Sequence, residues 1–160
     1  MTIAGLPLHP LVVHAAVVLA PLAAIVALAH SLVPRWRWAL RHVSALAAIL
    51  AALSVQVAAM TGDSLAASEA PVSKLVRVHE AWAGRLEFSV WVLAAVVIVA
   101  WWFLPHESPL PGHARSPRAV AWAPVVNRAV IALMPTAALA TLVLVAFTGH
   151  AGAEAVWARA

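Results

Sequence analysis

Four stretches of about twenty apolar residues, almost free of charge, constrain this chain more than any other feature. A hydrocarbon core about 30 Å thick is crossed by about twenty apolar residues in a helix. Within lipid every backbone N–H and C=O must be satisfied inside the segment, so a run of this kind is helical. The first run covers residues 10–32 and is stopped by Val33-Pro34-Arg35-Trp36-Arg37. The second covers 39–60, with Thr61-Gly62-Asp63 expected to end it. The third is apolar from Phe88 to Leu104, but Pro71 suits a first helical turn, which predicts a longer helix over 71–104. The fourth covers 125–148, with Pro135 as an expected kink and a short helical extension beyond it.

Composition agrees. Hydrophobic residues make up 64% of the 160 and charged residues 10%, against about 45–50% apolar usage in soluble domains. No polar segment is long enough for a separate soluble module, so residues 1–160 read as one transmembrane domain. The expected fold is all-α: an integral membrane four-helix bundle, up-down-up-down. The absence of Cys removes disulfides, thiol nucleophiles and iron–sulfur ligation. The opening lacks a basic n-region and a small-residue cleavage site, so the first helix is expected to remain in the protein. No internal repeat is visible.

Charge sets the expected orientation. Arg35, Arg37, Arg41, Arg115, Arg118 and Arg128 fall on one side, whereas Lys74, Arg77, Arg85 and Arg159 share the other with Asp63, Glu69, Glu80, Glu87 and Glu154. The positive-inside rule then puts the arginine-rich side in the cytoplasm and both termini outside the cytoplasm, as in a multi-pass protein of a bacterial inner membrane. Trp36, Trp38, Trp101, Trp102 and Trp122 mark one interface and Trp82 and Trp157 the other; Trp91 sits deeper, as packing. The net charge of +4 lies in short loops that set topology and meet anionic lipid, so nucleic acid is not an expected partner.

Eight histidines are many for so apolar a chain. His30, His42, His106 and His113 fall on the arginine-rich side, where an amphipathic imidazole sits comfortably at headgroup level. His9, His14, His79 and His150 fall on the other side, from three different helices at similar depth. Ionisable groups in a membrane bundle are costly and face its interior. They serve either as hydrogen-bonded glue between helices or as a ligand site. For a b-type haem, two facing imidazoles suffice, and His14 with His79 is the expected axial pair, with His150 as substitute or supporting donor and His9 at the rim. Met60 is the only methionine at the right level. The competing site is Zn or Cu on His14, His79 and His150, with Glu80, Asp63 or Glu154 adding a carboxylate. No HExxH motif or closely spaced His pair on one helix supports a metal. Small residues flank His150, Arg77 and Glu80 stand i,i+3 as expected for an ion pair, and Glu87 reads as a snorkelling or Arg85-paired carboxylate in preference to a proton relay.

The opening Gly5-Leu6-Pro7-Leu8-His9-Pro10-Leu11-Val12-Val13-His14, the Thr61-Gly62-Asp63 exit, the Val76-Arg77-Val78-His79-Glu80 segment and the Gly149-His150-Ala151-Gly152 ending together resemble a known family. The chain resembles the bacterial membrane proteins called domain of unknown function 2231, in particular their actinobacterial-type members. The resemblance implies a four-helix membrane domain whose recurring histidines match His9, His14, His79 and His150. Relatives that look to be fused to or near Rieske or cytochrome c-type modules imply a redox partner protein and electron transfer. Many relatives look to have a longer acidic stretch after the second helix, and its absence here weakens a carboxylate-rich metal site more than a haem site. The expected function is therefore haem b binding and membrane electron transfer, as an electron-transfer or accessory protein rather than an enzyme. A structural accessory subunit is the alternative, and a homo-oligomer is compatible with either.

Overall fold

A computed structural model describes residues 2–3, 6–68, 71–106 and 123–158. Two short strands, β1 (Thr2–Ile3) and β2 (Leu6–Pro7), pair antiparallel ahead of four helices. The helices are α1 (Leu8–Leu32), α2 (Arg37–Ser68), α3 (Lys74–Phe103) and α4 (Ala123–Trp157), with a single 3₁₀ turn, Pro34–Trp36, between the first two. All four are long and apolar enough to cross a membrane.

Their ends differ from expectation where side chains compensate the backbone. α2 does not stop at Thr61-Gly62-Asp63 but continues to Ser68. A glycine in a helix costs about 1 kcal/mol relative to alanine, and here a histidine ring packs into the space it leaves, as described below. α3 starts at Lys74 rather than Pro71, because the Ser73 hydroxyl accepts the Val76 N–H at 3.3 Å and caps the helix. α4 passes through Pro135, Gly149 and Gly152 to Trp157.

Each helix packs on two neighbours: α1 and α3 both touch α2 and α4, while α1 and α3 lie diagonally across the bundle. Hydrogen bonds fix which ends meet. His9 near the start of α1 reaches Ala58 near the end of α2, and His79 near the start of α3 reaches Thr148 near the end of α4. At the opposite end Ser31 of α1 reaches Ile131 of α4, and Arg41 of α2 reaches Trp101 of α3. Neighbouring helices therefore run antiparallel, giving a histidine end and an arginine end.

The core of the first hairpin is made of small residues, whereas α3 and α4 add Leu86, Val90, Leu93, Val97 and Met134. Ala20, Ala23, Ala24 and Ala27 on α1 and Ala48, Ala51 and Ala52 on α2 are fully buried, whereas Val18, Ile25, Leu46, Phe88, Leu133 and Leu139 point outward. This inverts a soluble protein. In lipid no hydrophobic force draws large side chains inward, so close approach of helices through small residues supplies the packing. Inside, Ser89 and Thr141 share a 3.0 Å hydrogen bond, whereas the buried Asn127 Oδ1 and Thr148 Oγ1 have no partner among the described residues. Trp91 is not core packing; its indole lies on the outer surface and donates to Gln56 at 3.1 Å.

The structure also contains the repeat that the sequence hides. Residues 70 apart on α1 and α3 take equivalent places: Ala16 and Leu86, Ala20 and Val90, Ala23 and Leu93, Ala24 and Ala94, and Ala27 and Val97 are buried in pairs. On α2 and α4 the spacing is 90, pairing Ser44 with Met134, Ala48 with Ala138, Ala51 with Thr141 and Thr61 with Ala151. The two hairpins, α1–α2 and α3–α4, are thus copies that start from the same end, related by a pseudo-two-fold axis along the bundle.

Candidate functional site

The repeat singles out His9 and His79, which stand 70 apart and are equivalent. The His9 ring lies against Gly62 of α2, where a Cβ would come within 3.0 Å of its Cε1. The His79 ring lies against Gly152 of α4, where a Cβ would come within 3.1 Å. His9 Nδ1 is 2.9 Å from the Ala58 carbonyl and 3.4 Å from Thr61 Oγ1; His79 Nδ1 is 3.0 Å from the Thr148 carbonyl. Each acceptor stands four residues before the glycine, one helical turn away. The same clasp is therefore built twice, once per hairpin.

A carbonyl only accepts, so Nδ1 carries the proton in both rings, and the neutral imidazole then presents a lone pair at Nε2. Among the described residues no protein group hydrogen-bonds either Nε2. This is the state in which an imidazole ligates iron or another metal, with its other nitrogen anchored to a carbonyl that fixes ring orientation and tautomer.

The other two expected ligands lie elsewhere. His14 is exposed and turned along its own helix, its Nδ1 donating to the Pro10 carbonyl at 2.6 Å. Its counterpart in the second hairpin is Gly84, so it has no symmetric mate. His150 is also exposed, 3.4 Å from Glu154 one turn on. The expected grouping of His14, His79 and His150 is not assembled: among the described residues no three His, Asp or Glu side chains come together to hold a metal ion. No ion pair joins Arg77 to Glu80 or Arg85 to Glu87 among these residues; Arg85 instead lies over the Trp82 ring, 4.5 Å from its centre.

His9 ranked lowest of the four in the sequence, and the signal that could have raised it is the pair of small-x-x-x-Gly patterns, Ala58 to Gly62 and Thr148 to Gly152. Each supplies a carbonyl and a ring seat. The hydrogen-bond network at the arginine end was not legible in the sequence. His30 does not sit among headgroups but is buried, with its Nδ1 2.8 Å from the Ser44 hydroxyl. Arg37 donates to the Ser31 carbonyl at 2.9 Å and caps the end of α1, and Arg41 donates to the Trp101 carbonyl in the last turn of α3. Arg41 also donates to His106 Nε2 at 2.8 Å, while Trp101 donates to His42. Burial first, and then the Arg41 guanidinium, holds His106 below the usual imidazole range. His113 lies outside the described residues.

Four helices long and apolar enough to span, with large apolar side chains turned outward, define a membrane protein whose environment is a lipid bilayer. The family model described as "Predicted membrane protein (DUF2231)" matches residues 5–160, and the chain belongs to that family. No curated protein and no solved structure shows significant similarity to it.

Proposed function

We propose that this membrane protein binds haem b between His9 and His79 and carries electrons to or from a redox partner protein. The observation that supports this reading is the equivalence of two anchored imidazoles: one from each hairpin, on diagonal helices, at the same end, each with an Nε2 that no described residue uses. Bound haem would supply one-electron chemistry at its iron; the chain's residues hold the imidazoles in the ligating tautomer. Two protein ligands suffice for haem, whereas Zn or Cu sites draw on three or four, and no such group assembles among the described residues. On this reading His9 and His79 would hold the haem, in place of His14 and His79.

Charge supports placing this end outside the cytoplasm of a bacterial inner membrane, where a Rieske or cytochrome c-type partner would meet it. A structural accessory role is the second reading, favoured by the fit of each ring against its glycine, since a clasp needs only Nδ1. Absorption spectra separate the two. The haem reading expects a Soret band in the purified protein that is lost in His9→Ala and in His79→Ala and kept in His14→Ala and His150→Ala. A colourless, folded protein from haem-replete cells leaves the clasp alone.

A further inference from the structure

An open groove of about 750 Å³ runs between α3 and α4 on the outer surface, with almost wholly apolar walls that include Gly84, Phe88, Val92, Thr136 and Ala140. At four of these positions the first hairpin holds a larger side chain, His14 for Gly84, Leu22 for Val92, Leu46 for Thr136 and Leu50 for Ala140, while Val18 stands for Phe88. Along α3 it extends from Ala81 to Val96, about 22 Å at 1.5 Å per residue. That exceeds half the roughly 30 Å thickness of a bilayer core, enough depth for one extended acyl chain.

Its mouth is cationic. Arg85 lines the groove at the histidine end, exposed and held flat on Trp82, which in turn stacks on Phe147 with ring centres 4.8 Å apart. No carboxylate pairs with Arg85 among the described residues. Arg77, two turns nearer the helix start on the same face, is also exposed. An apolar slot of one leaflet's depth, opening on a pre-oriented guanidinium at headgroup level, is complementary to an anionic amphiphile.

We infer that the α3–α4 groove is a binding site for a single anionic phospholipid, with one acyl chain between the helices and the phosphate on Arg85. The inference stands independently of haem.

Native mass spectrometry after reconstitution in mixed phosphatidylglycerol and phosphatidylcholine tests it. The wild-type protein is expected to retain one phosphatidylglycerol in about five-fold preference to phosphatidylcholine, the factor that one interfacial cation contributes. Arg85→Gln is expected to lose that preference while still retaining a lipid. Ala140→Phe, which fills the groove from an exposed position, is expected to retain none. Millimolar inorganic phosphate should leave the bound lipid in place, since the acyl chain supplies most of the contact. Equal retention of both lipids by the wild type, an unchanged preference in Arg85→Gln, lipid persisting in Ala140→Phe or displacement by phosphate would each overturn the assignment. Far-UV circular dichroism of the variants establishes that both are folded.

Discussion

Replacing Gly62 with alanine tests the clasp at its tightest point. The new Cβ would stand 3.0 Å from Cε1 and 3.3 Å from Nδ1 of His9, so the ring must move by a few tenths of an ångström. Moving it lengthens the 2.9 Å bond to the Ala58 carbonyl. Overpacking of this kind costs about 1–3 kcal/mol, and a weakened interhelical hydrogen bond in a membrane protein adds about 0.6 kcal/mol. The helix itself gains about 1 kcal/mol from Gly→Ala. The net expectation is a loss of about 1–2 kcal/mol for Gly62→Ala, and the same for Gly152→Ala, where His79 lies 3.1 Å from the added atom. Gly149 is the control, since nothing lies within 4 Å of a Cβ there. Gly149→Ala should therefore stabilise by up to about 1 kcal/mol. Unfolding in bicelles followed by circular dichroism measures all three, and the His9→Ala background should relieve the cost at Gly62 but not at Gly152. If Gly62→Ala and Gly149→Ala shift stability with the same sign and size, the clasp does not hold these helices.

Further consequences concern the remaining polar groups. In a double-mutant cycle Ser89→Ala and Thr141→Val should couple by about 0.6 kcal/mol, and not above about 1.7, the range of interhelical hydrogen bonds in membranes; zero coupling would remove that bond from the account. Burial and the Arg41 guanidinium hold His106 below the usual imidazole range, so its contribution is present above that range and is lost as pH falls through the depressed value. Bundle stability scanned from pH 8 to pH 4 should decline at the acid end, and His106→Gln should flatten that decline. His14→Ala and His150→Ala, both at exposed positions, should change stability by less than about 0.5 kcal/mol, whereas His79→Ala should destabilise measurably.

The four spans were legible because lipid imposes length and apolarity on each segment separately. What could not be read was anything set between segments. α2 overruns Gly62 because a ring from α1 fills the gap, and local propensity says nothing of that ring. The repeat escapes notice because equivalent residues differ in size, as with Ala20 and Val90. The connection between α3 and α4 is also longer than Pro34–Trp36, which changes the spacing from 70 to 90. Among the outer histidines, His14 stands five residues beyond His9 along α1, at the place that Gly84 takes on α3 rather than level with His79, and it is exposed there. His9, beside Pro10 at the helix start, reads as a rim residue until Ala58 and Gly62 are seen opposite it.

Electron paramagnetic resonance of the oxidised protein, purified from haem-replete cells, addresses the His9–His79 pair most directly. The account predicts a low-spin signal of bis-imidazole haem that is converted to a high-spin signal or lost when either His9 or His79 is replaced by alanine, and is unchanged in His14→Ala. A folded wild-type protein without haem, or a low-spin signal that survives in His9→Ala, would contradict it.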